Sequence, residues 1–239
     1  MATKDQVQNM FQTISPTYDL LNSVLSFNID KYWRKKTVAA LSRQCRSGEK
    51  QIILDLCSGT LDLALQVLKS SGPNTKVIAL DFSSGMLAEG KKKIPPELRN
   101  RICLVCADIE HLPLRENVAE GAVMGFGLRN LIDRQKGLAE IKRVMKPSGR
   151  LAILEFSQPR SRIFRSLYFF YSLHILPLIG GLISGSTAAY RYLPDSVLKF
   201  YTAEQLKEIM QDIGYRKVSF SFLTAGIVAL HVGEKEYVR

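Results

Sequence analysis

Two apolar runs in succession end at a carboxylate and a turn. The first, Ile53-Leu54-Asp55-Leu56, passes into Cys57-Ser58-Gly59-Thr60-Leu61-Asp62, where small residues give way to helical spacing. The second, Lys76-Val77-Ile78-Ala79-Leu80, ends on Asp81. A strand that turns into a helix and is followed by another strand is the βαβ unit. It commits the chain to a largely parallel sheet with helices on both faces. In such sheets ligands sit beyond the carboxyl ends of the strands, so Asp55 and Asp81 flank a predicted crevice.

The alternation continues. Strands are predicted at 51–56, 76–80, 102–107 and 150–156, with a short, weak one at 121–124. Helices are predicted at 62–70, 84–93 and 133–145, and Lys146-Pro147-Ser148-Gly149 reads as a turn. A last helix, 202–213, starts at Thr202 with Gln205 three positions on, a capping box, and stops at Gly214. Two final strands, 216–222 and 226–232, are close enough to form an antiparallel hairpin. Before the sheet, residues 4–45 read as helices broken at Ser15-Pro16 and at Asn28-Ile29-Asp30. The whole chain, 1–239, is expected to form one domain. It comprises a helical cap (1–45), a ligand-binding half (46–158), an apolar insertion or lid (159–200) and a C-terminal helix with its hairpin (201–239).

The 33 basic and 22 acidic residues give a net charge of +11, which favours an anionic partner without naming one. Cys103 and Cys106 lie three apart on one predicted strand and so face opposite sides, which argues against a zinc or redox pair. Together with Cys45 and Cys57 they read as reduced, buried thiols of a cytosolic protein. Residues 1–9 are polar and do not read as a secretory leader. The run 167–183 has nearly the length of a membrane span, but His174, Pro177 and Gly180-Gly181 interrupt it. A buried helix or a lid over an apolar pocket is the expectation there.

Dinucleotide enzymes need several glycines so that amides can approach a pyrophosphate. Here the turn holds only Gly59. S-adenosylmethionine carries no phosphate. It asks for an acceptor for its ribose diol, which Asp81 supplies, and for a partner to its adenine amine, which Asp108 supplies. Carboxylates nearby suit its sulfonium. Asp55, Gly59, Thr60, Asp81, Asp108, Ile109 and Gly125 are therefore the predicted cofactor residues. The competing reading makes Asp81 and Asp108 simple caps of the helices that follow.

Met10-Phe11, Tyr18-Asp19-Leu20-Leu21-Asn22, Ser26-Phe27 and Trp33 resemble the N-terminal signature of the quinone C-methyltransferases of menaquinone and ubiquinone biosynthesis. Phe126-Gly127-Leu128-Arg129-Asn130 is similar to that family's second signature. Leu154-Glu155-Phe156-Ser157, Tyr190-Arg191-Tyr192-Leu193 and the segment from Leu223 to His231 follow in order. The resemblance spans nearly the whole chain. It implies a Rossmann-like class I methyltransferase fold, S-adenosylmethionine as donor and a polyprenyl demethylmenaquinol-type acceptor, with the benzoquinol as its counterpart. Four positions depart from the pattern. Ser58 and Leu61 stand where glycines are usual, and Leu61 is expected to crowd the methionine end of the cofactor. Asn28 also replaces a glycine and tolerates a left-handed backbone. Gly125 stands where alanine or serine is common, forgoing a hydroxyl.

Ring-carbon methylation needs electron density at that carbon, which a quinol supplies as a hydroxyl loses its proton. Arg129 and Asn130 are predicted to orient and polarise the quinol oxygen. Tyr190, Arg191 and His174 are the candidates for acid–base work. For Arg129 a structural ion pair is the competing reading. The run 167–183, with Arg160, Arg162 and Arg165, reads either as a cover for the prenyl tail facing an anionic membrane surface or as an ordinary core helix. The protein is expected in the cytoplasm, at the inner face of the membrane if the first holds. An RNA methyltransferase would suit +11, but such enzymes tend to carry a proline-rich aromatic loop where this chain has Gly125-Phe126-Gly127-Leu128. A non-catalytic quinone- or lipid-binding protein is the third reading. No metal site is expected.

Overall fold

The computed structural model describes residues 3–41, 49–159, 161, 165, 166, 168, 170, 171 and 187–237, with side chains in the last range from Tyr192 onward. Seven strands form one sheet: β1 (Gln51–Leu56), β2 (Thr75–Asp81), β3 (Ile102–Cys106), β4 (Ala119–Gly125), β5 (Met145–Phe156), β6 (Tyr215–Leu223) and β7 (Val228–Lys235). Their order is β3-β2-β1-β4-β5-β7-β6. All neighbouring pairs are parallel except those of β7, which runs antiparallel to both β5 and β6. The chain winds outward from β1 to β3 and then returns to β4 on the other side of β1. That reversal opens a crevice between β1 and β4, where ligands bind in sheets of this type. The register sets Leu56 opposite both Leu80 and Met124, so the turns that follow β1, β2 and β4 open abreast.

Helices cover both faces. On one, Leu138 and Ile141 of α6 (Arg134–Val144) and Leu206 and Met210 of α8 (Ala203–Asp212) join the sheet in a continuous apolar core. On the other, Val38 and Leu41 of α3 (Ile29–Leu41), Leu63 to Leu65 of α4 (Asp62–Ser70) and Leu87 of α5 (Ser84–Lys92) do the same. The capping box of Thr202 and Gln205 forms as the sequence predicts, and Asp133 caps α6 by accepting from the Lys136 amide at 2.9 Å.

β4 is longer than its weak apolar signal suggests. Ala119, Gly121 and Ala122 carry little hydrophobicity, yet they are buried because the central strand is covered on both sides. β5 begins five residues before the predicted strand and takes in the predicted turn at 146–149, where its pairing with β4 slips between Ala119 and Gly121.

The remaining helices form the cap. α1 (Lys4–Ile14) opens with a Thr3–Gln6 capping box, and Pro16 at the 3-10 turn Ser15–Thr17 breaks the chain before α2 (Tyr18–Leu25). Phe27 and Asn28 both take positive φ, 52° and 60°, to turn into α3. α7 spans Thr187–Leu198.

The cysteine reading is corrected in part. Cys103 and Cys106 are exposed, because β3 is an edge strand rather than an inner one, and Cys57 is half-buried. Cys45 and most of the run 167–183, His174 included, lie outside the described residues, as do Arg160 and Arg162. Among the described residues no helix is long and apolar enough to cross a membrane.

Candidate active site

The turn after β1 is held in shape by backbone conformations that most residues avoid. Cys57, Gly59 and Leu61 have φ of 53°, 51° and 70°. Each non-glycine residue of the three costs about 1–2 kcal/mol to hold there, which the surrounding hydrogen bonds offset. Ser58 donates its hydroxyl to the carbonyls of Asp55 (3.1 Å) and Leu80 (2.9 Å). The Gly59 amide donates to Asp81 Oδ2 at 2.8 Å, and the Ser83 amide to Asp81 Oδ1 at 2.8 Å. Asp81 thus joins the turns after β1 and β2. Burial pushes its carboxyl up to about 6 despite these amide bonds. A carboxylate has more acceptor positions than these two donors fill, so capacity for a diol remains.

A polar-rimmed cavity of about 50 Å³ lies over these turns. Of the predicted cofactor residues, Gly59, Asp81, Asp108, Ile109 and Gly125 line it together. Asp55 and Thr60 do not; they sit behind the turn. Asp55 is fully buried, accepts from the Ala64 amide at 2.9 Å through Oδ2, and leaves Oδ1 without a hydrogen bond. Burial raises its carboxyl to about 8. Its place is to hold the start of α4 against β1. Thr60 gives its hydroxyl to Asp19 of α2. Asp108 is both a cap and a cavity wall. It accepts from the Glu110 amide at 3.0 Å and pairs with Lys4 of α1. Burial pushes its carboxyl up, but the Lys4, Glu110 and His111 bonds outweigh it, and the result is a lowered pKa.

One expectation from the departures is corrected. Leu61 does not crowd the cavity. Its side chain is fully buried, and a Cβ on Gly90 of α5 would overlap it, so the missing side chain at 90 makes room for the extra one at 61. Gly125 has a steric reason to lack a side chain, since a Cβ there would come within 2.7 Å of Leu63 Cδ1.

Beside this cavity lies a larger one, about 340 Å³, apolar and enclosed by α1 to α3, α7 and the ends of β4 and β5. Phe11, Tyr18 and Phe126 belong to both and form the wall between them. Trp33 and Phe156 pack about Phe126, with ring centroids 6.0 and 4.6 Å away, and the Trp33 indole N–H donates to Thr224 at 2.7 Å. The 3-10 turn Leu128–Asn130 serves both cavities: Arg129 faces the apolar chamber and its neighbour Asn130 the smaller cleft. Arg129 donates through Nη1 to Glu155 Oε1 at 2.8 Å and to the Phe126 carbonyl, and through Nε to Ser196 at 3.3 Å. Its guanidinium lies 5.2 Å from the Phe156 ring centroid. Asn130 Oδ1 accepts from the Tyr192 hydroxyl at 3.1 Å. Burial raises the Tyr192 pKa.

Of the predicted pair, Arg129 lines the apolar chamber and Asn130 the smaller cleft. The third candidate, Tyr190, lies on α7 with its side chain outside the described residues, as is that of Arg191. The residues that sequence reasoning missed are Lys4, Tyr18, Trp33, Glu155 and Tyr192. Tyr18 and Trp33 stood within the N-terminal signature but had no role, because nothing local says that a helix before the sheet folds back over it.

The donor set suits S-adenosylmethionine: a carboxylate at the end of β2, a second at the end of β3, a glycine turn with positive φ, and no run of amides for a pyrophosphate. The family model described as the ubiE/COQ5 methyltransferase family matches residues 1–235. The "Ubiquinone/menaquinone biosynthesis C-methyltransferase UbiE" of Geobacter sulfurreducens is 41% identical over 97% of this chain and 89% of its own length. The "Demethylmenaquinone methyltransferase" of Halalkalibacterium halodurans is 38% identical over 98% and 94%. Among solved structures, the "[4+2]-Cyclase SpnF" superposes with a TM-score of 0.71 at 15% identity over 99% of this chain and 97% of its own. A Haemonchus contortus phosphoethanolamine N-methyltransferase in complex with S-adenosyl-L-methionine does so at 0.62 and 15%, over 84% and 52%. The sheet order, the twin cavities and a match that runs almost end to end lead to one assignment: the chain belongs to the ubiE/COQ5 methyltransferase family and is an S-adenosylmethionine-dependent C-methyltransferase.

Proposed function

We propose that the protein transfers a methyl group to a ring carbon of demethylmenaquinol in menaquinone biosynthesis. The observation that carries this reading is the apolar chamber, whose walls include Trp33, Phe126, Phe156 and Leu193, sharing a partition with the cofactor cleft. Flat aromatic walls suit a fused-ring quinol with a prenyl tail. The Geobacter relative is named for ubiquinone and menaquinone biosynthesis, and the Halalkalibacterium relative for demethylmenaquinone. The equivalent benzoquinol step is therefore the second reading.

When bound, S-adenosylmethionine supplies an electrophilic methyl group on a sulfonium. In this proposal Asp81 accepts the ribose diol, Asp108 the adenine amine, and Ile109 packs on the adenine. Gly59 and Gly125 leave the floor open. Asp55 and Thr60 serve from behind by fixing the turn. Arg129 donates toward the quinol oxygen on which negative charge develops. A guanidinium has donors and no acceptor, so its part is to stabilise the anion rather than to take the proton. Asn130, held by Tyr192, faces the cofactor side and orients the quinol oxygen where the two cavities adjoin. Tyr190 is the third proposed group, on the same helix as Tyr192. Holding the acceptor and donor in line where the two cavities adjoin is a large share of the catalysis. The tailed acceptor implies work at the cytoplasmic face of a membrane.

Mass spectrometry of quinones from cells lacking the protein tests the reading. Accumulated demethylmenaquinone is the expected result. An accumulated ubiquinone precursor in its place favours the second reading, and an unchanged quinone pool overturns both.

A further inference from the structure

We propose that α2 and α3 form a docking face that seats the mouth of the apolar chamber on an anionic bilayer. The proposal rests on the lipid-tailed acceptor argued above. Of the nine large apolar side chains exposed among the described residues, five fall on these two helices and the turn between them. Leu20 and Val24, which are 56% and 42% exposed, follow one another down one side of α2, and Phe27, 74% exposed, stands in the turn after it. Ile29 and Tyr32, 37% and 49% exposed, continue the stripe along α3. A helix on a water-facing surface carries polar residues on its outer side. Apolar clusters of this kind mark contact surfaces.

Charge selects the occupant. Lys31, Lys35 and Lys36 are exposed on α3, and the Lys36 ammonium sits 5.5 Å from the Tyr32 ring centroid. The acidic residues of these helices are turned to internal partners. Asp19 pairs with Lys93 at 2.6 Å, and Asp30, buried, pairs with Arg34 at 2.5 Å. The stripe is thus flanked by lysines without acidic compensation from its own helices, on a chain of net charge +11. Apolar side chains that enter the lipid boundary beside lysines that meet phosphate headgroups are the two signals an interfacial helix needs.

Geometry ties the face to the chemistry. Phe27 and Ile29 belong both to the exposed stripe and to the wall of the chamber. The Phe27 ring also leans on Tyr171 at 6.4 Å, and the Tyr171 hydroxyl donates to the Leu25 carbonyl at 3.0 Å. With the stripe in the headgroup layer, a prenyl tail reaches the chamber from lipid without crossing water.

The test is co-sedimentation of the full chain with vesicles of phosphatidylglycerol and phosphatidylcholine, and with vesicles of phosphatidylcholine alone. The wild type is expected to bind the mixed vesicles strongly and the neutral ones weakly. Leu20→Ser with Val24→Ser should weaken binding about tenfold or more on the mixed vesicles. Lys35→Glu with Lys36→Glu should do so to a similar degree, about tenfold, on the mixed vesicles alone. None of these four residues lines either cavity, so cofactor affinity and turnover of a short-tailed soluble demethylmenaquinol should stay within about twofold of wild type. Vesicle binding unaffected by both double variants overturns the proposal. So does a wild type that ignores anionic vesicles, or one that dimerises through this face in sedimentation and shows no lipid binding. If the protein binds vesicles as expected yet methylates neither short- nor long-tailed quinol, the acceptor assignment fails while the docking face stands.

Discussion

The proposed cofactor cleft and the proposed acceptor chamber share lining residues but are made differently. The cleft is small, about 50 Å³, and its polar groups come mostly from turns at the ends of β1 to β4, with Lys4 of α1 beside them. Those groups are tied by backbone amides, such as Gly59 and Ser83 to Asp81. The chamber is several times larger, about 340 Å³, and is walled by aromatic side chains from helices far apart in the chain, with Arg129 among them. A parallel sheet fixes the first through its register, with almost no freedom. The second exists because α1 to α3 fold back over the strand ends and are latched there. The Gln8 side chain donates to the Phe82 carbonyl at 2.6 Å, and Gln12 accepts from the Ser83 hydroxyl and the Gly85 amide at 2.9 and 3.0 Å. On the other side Lys93 bridges Asp19 and Asp62, and Arg34 reaches Asp62 at 2.9 Å. In the proposed reading the sheet therefore governs how the donor is held, while the cap governs what the enzyme accepts.

That division can be broken at its joint, Arg129. Arg129→Ala should lower turnover about 10³-fold, the scale of a lost anion-stabilising donor, with cofactor affinity nearly unchanged by calorimetry. It should also cost about 3–5 kcal/mol of stability in urea melts, because Glu155, 1% exposed, loses its partner. The paired variant Arg129→Gln with Glu155→Gln should regain stability but not turnover. Recovery of turnover in that pair would mean the charge is not needed.

Asp81→Asn tests the cleft alone. It should weaken cofactor binding about 100-fold, through the lost diol acceptor and an amide left facing a donor, and leave acceptor KM unchanged. The wild type should show a matching pH effect. With the Asp81 carboxyl at about 6, the ionised form that binds the cofactor gives way to the protonated form as pH falls through 6. Affinity should hold above that point and drop about tenfold per unit below it. Affinity flat from pH 5 to 8 would remove Asp81 from the site.

Leu61→Gly probes the wall behind the cleft. It relieves a left-handed leucine but opens a void beside Gly90, for a net loss of about 2–3 kcal/mol. Cofactor affinity should not change; a gain would restore the crowding that the residue's burial argues against. The smallest effect belongs to the chamber. Trp33→Phe removes the indole bond to Thr224 and part of one wall. Acceptor KM should rise about threefold to tenfold, with cofactor affinity unaltered.

The strand–turn–helix rhythm and the carboxylates at the ends of β2 and β3 were readable from local pattern. Each depends on residues within a few positions of one another, and parallel pairing then brings the strand ends together without further information. The Thr202 cap and the left-handed Asn28 were readable for the same reason. Burial in the small-residue strand β4, and exposure at Cys103 and Cys106 on the sheet edge, were not, because both follow from strand order.

What the order of residues fixed, then, was the sheet, its crevice and the donor chemistry, since period, turn and charge act over a few residues. Which carboxylates line the cleft was settled only in three dimensions. Asp55 and Asp81 look alike along the chain, yet one turns back to the Ala64 amide and the other lies at the cavity. The same holds for Leu61, whose side chain has room only because Gly90, on a different helix, has none. The chamber too is a product of long-range packing: Trp33 meets Thr224, and Tyr192 meets Asn130, across separations that no local rule spans.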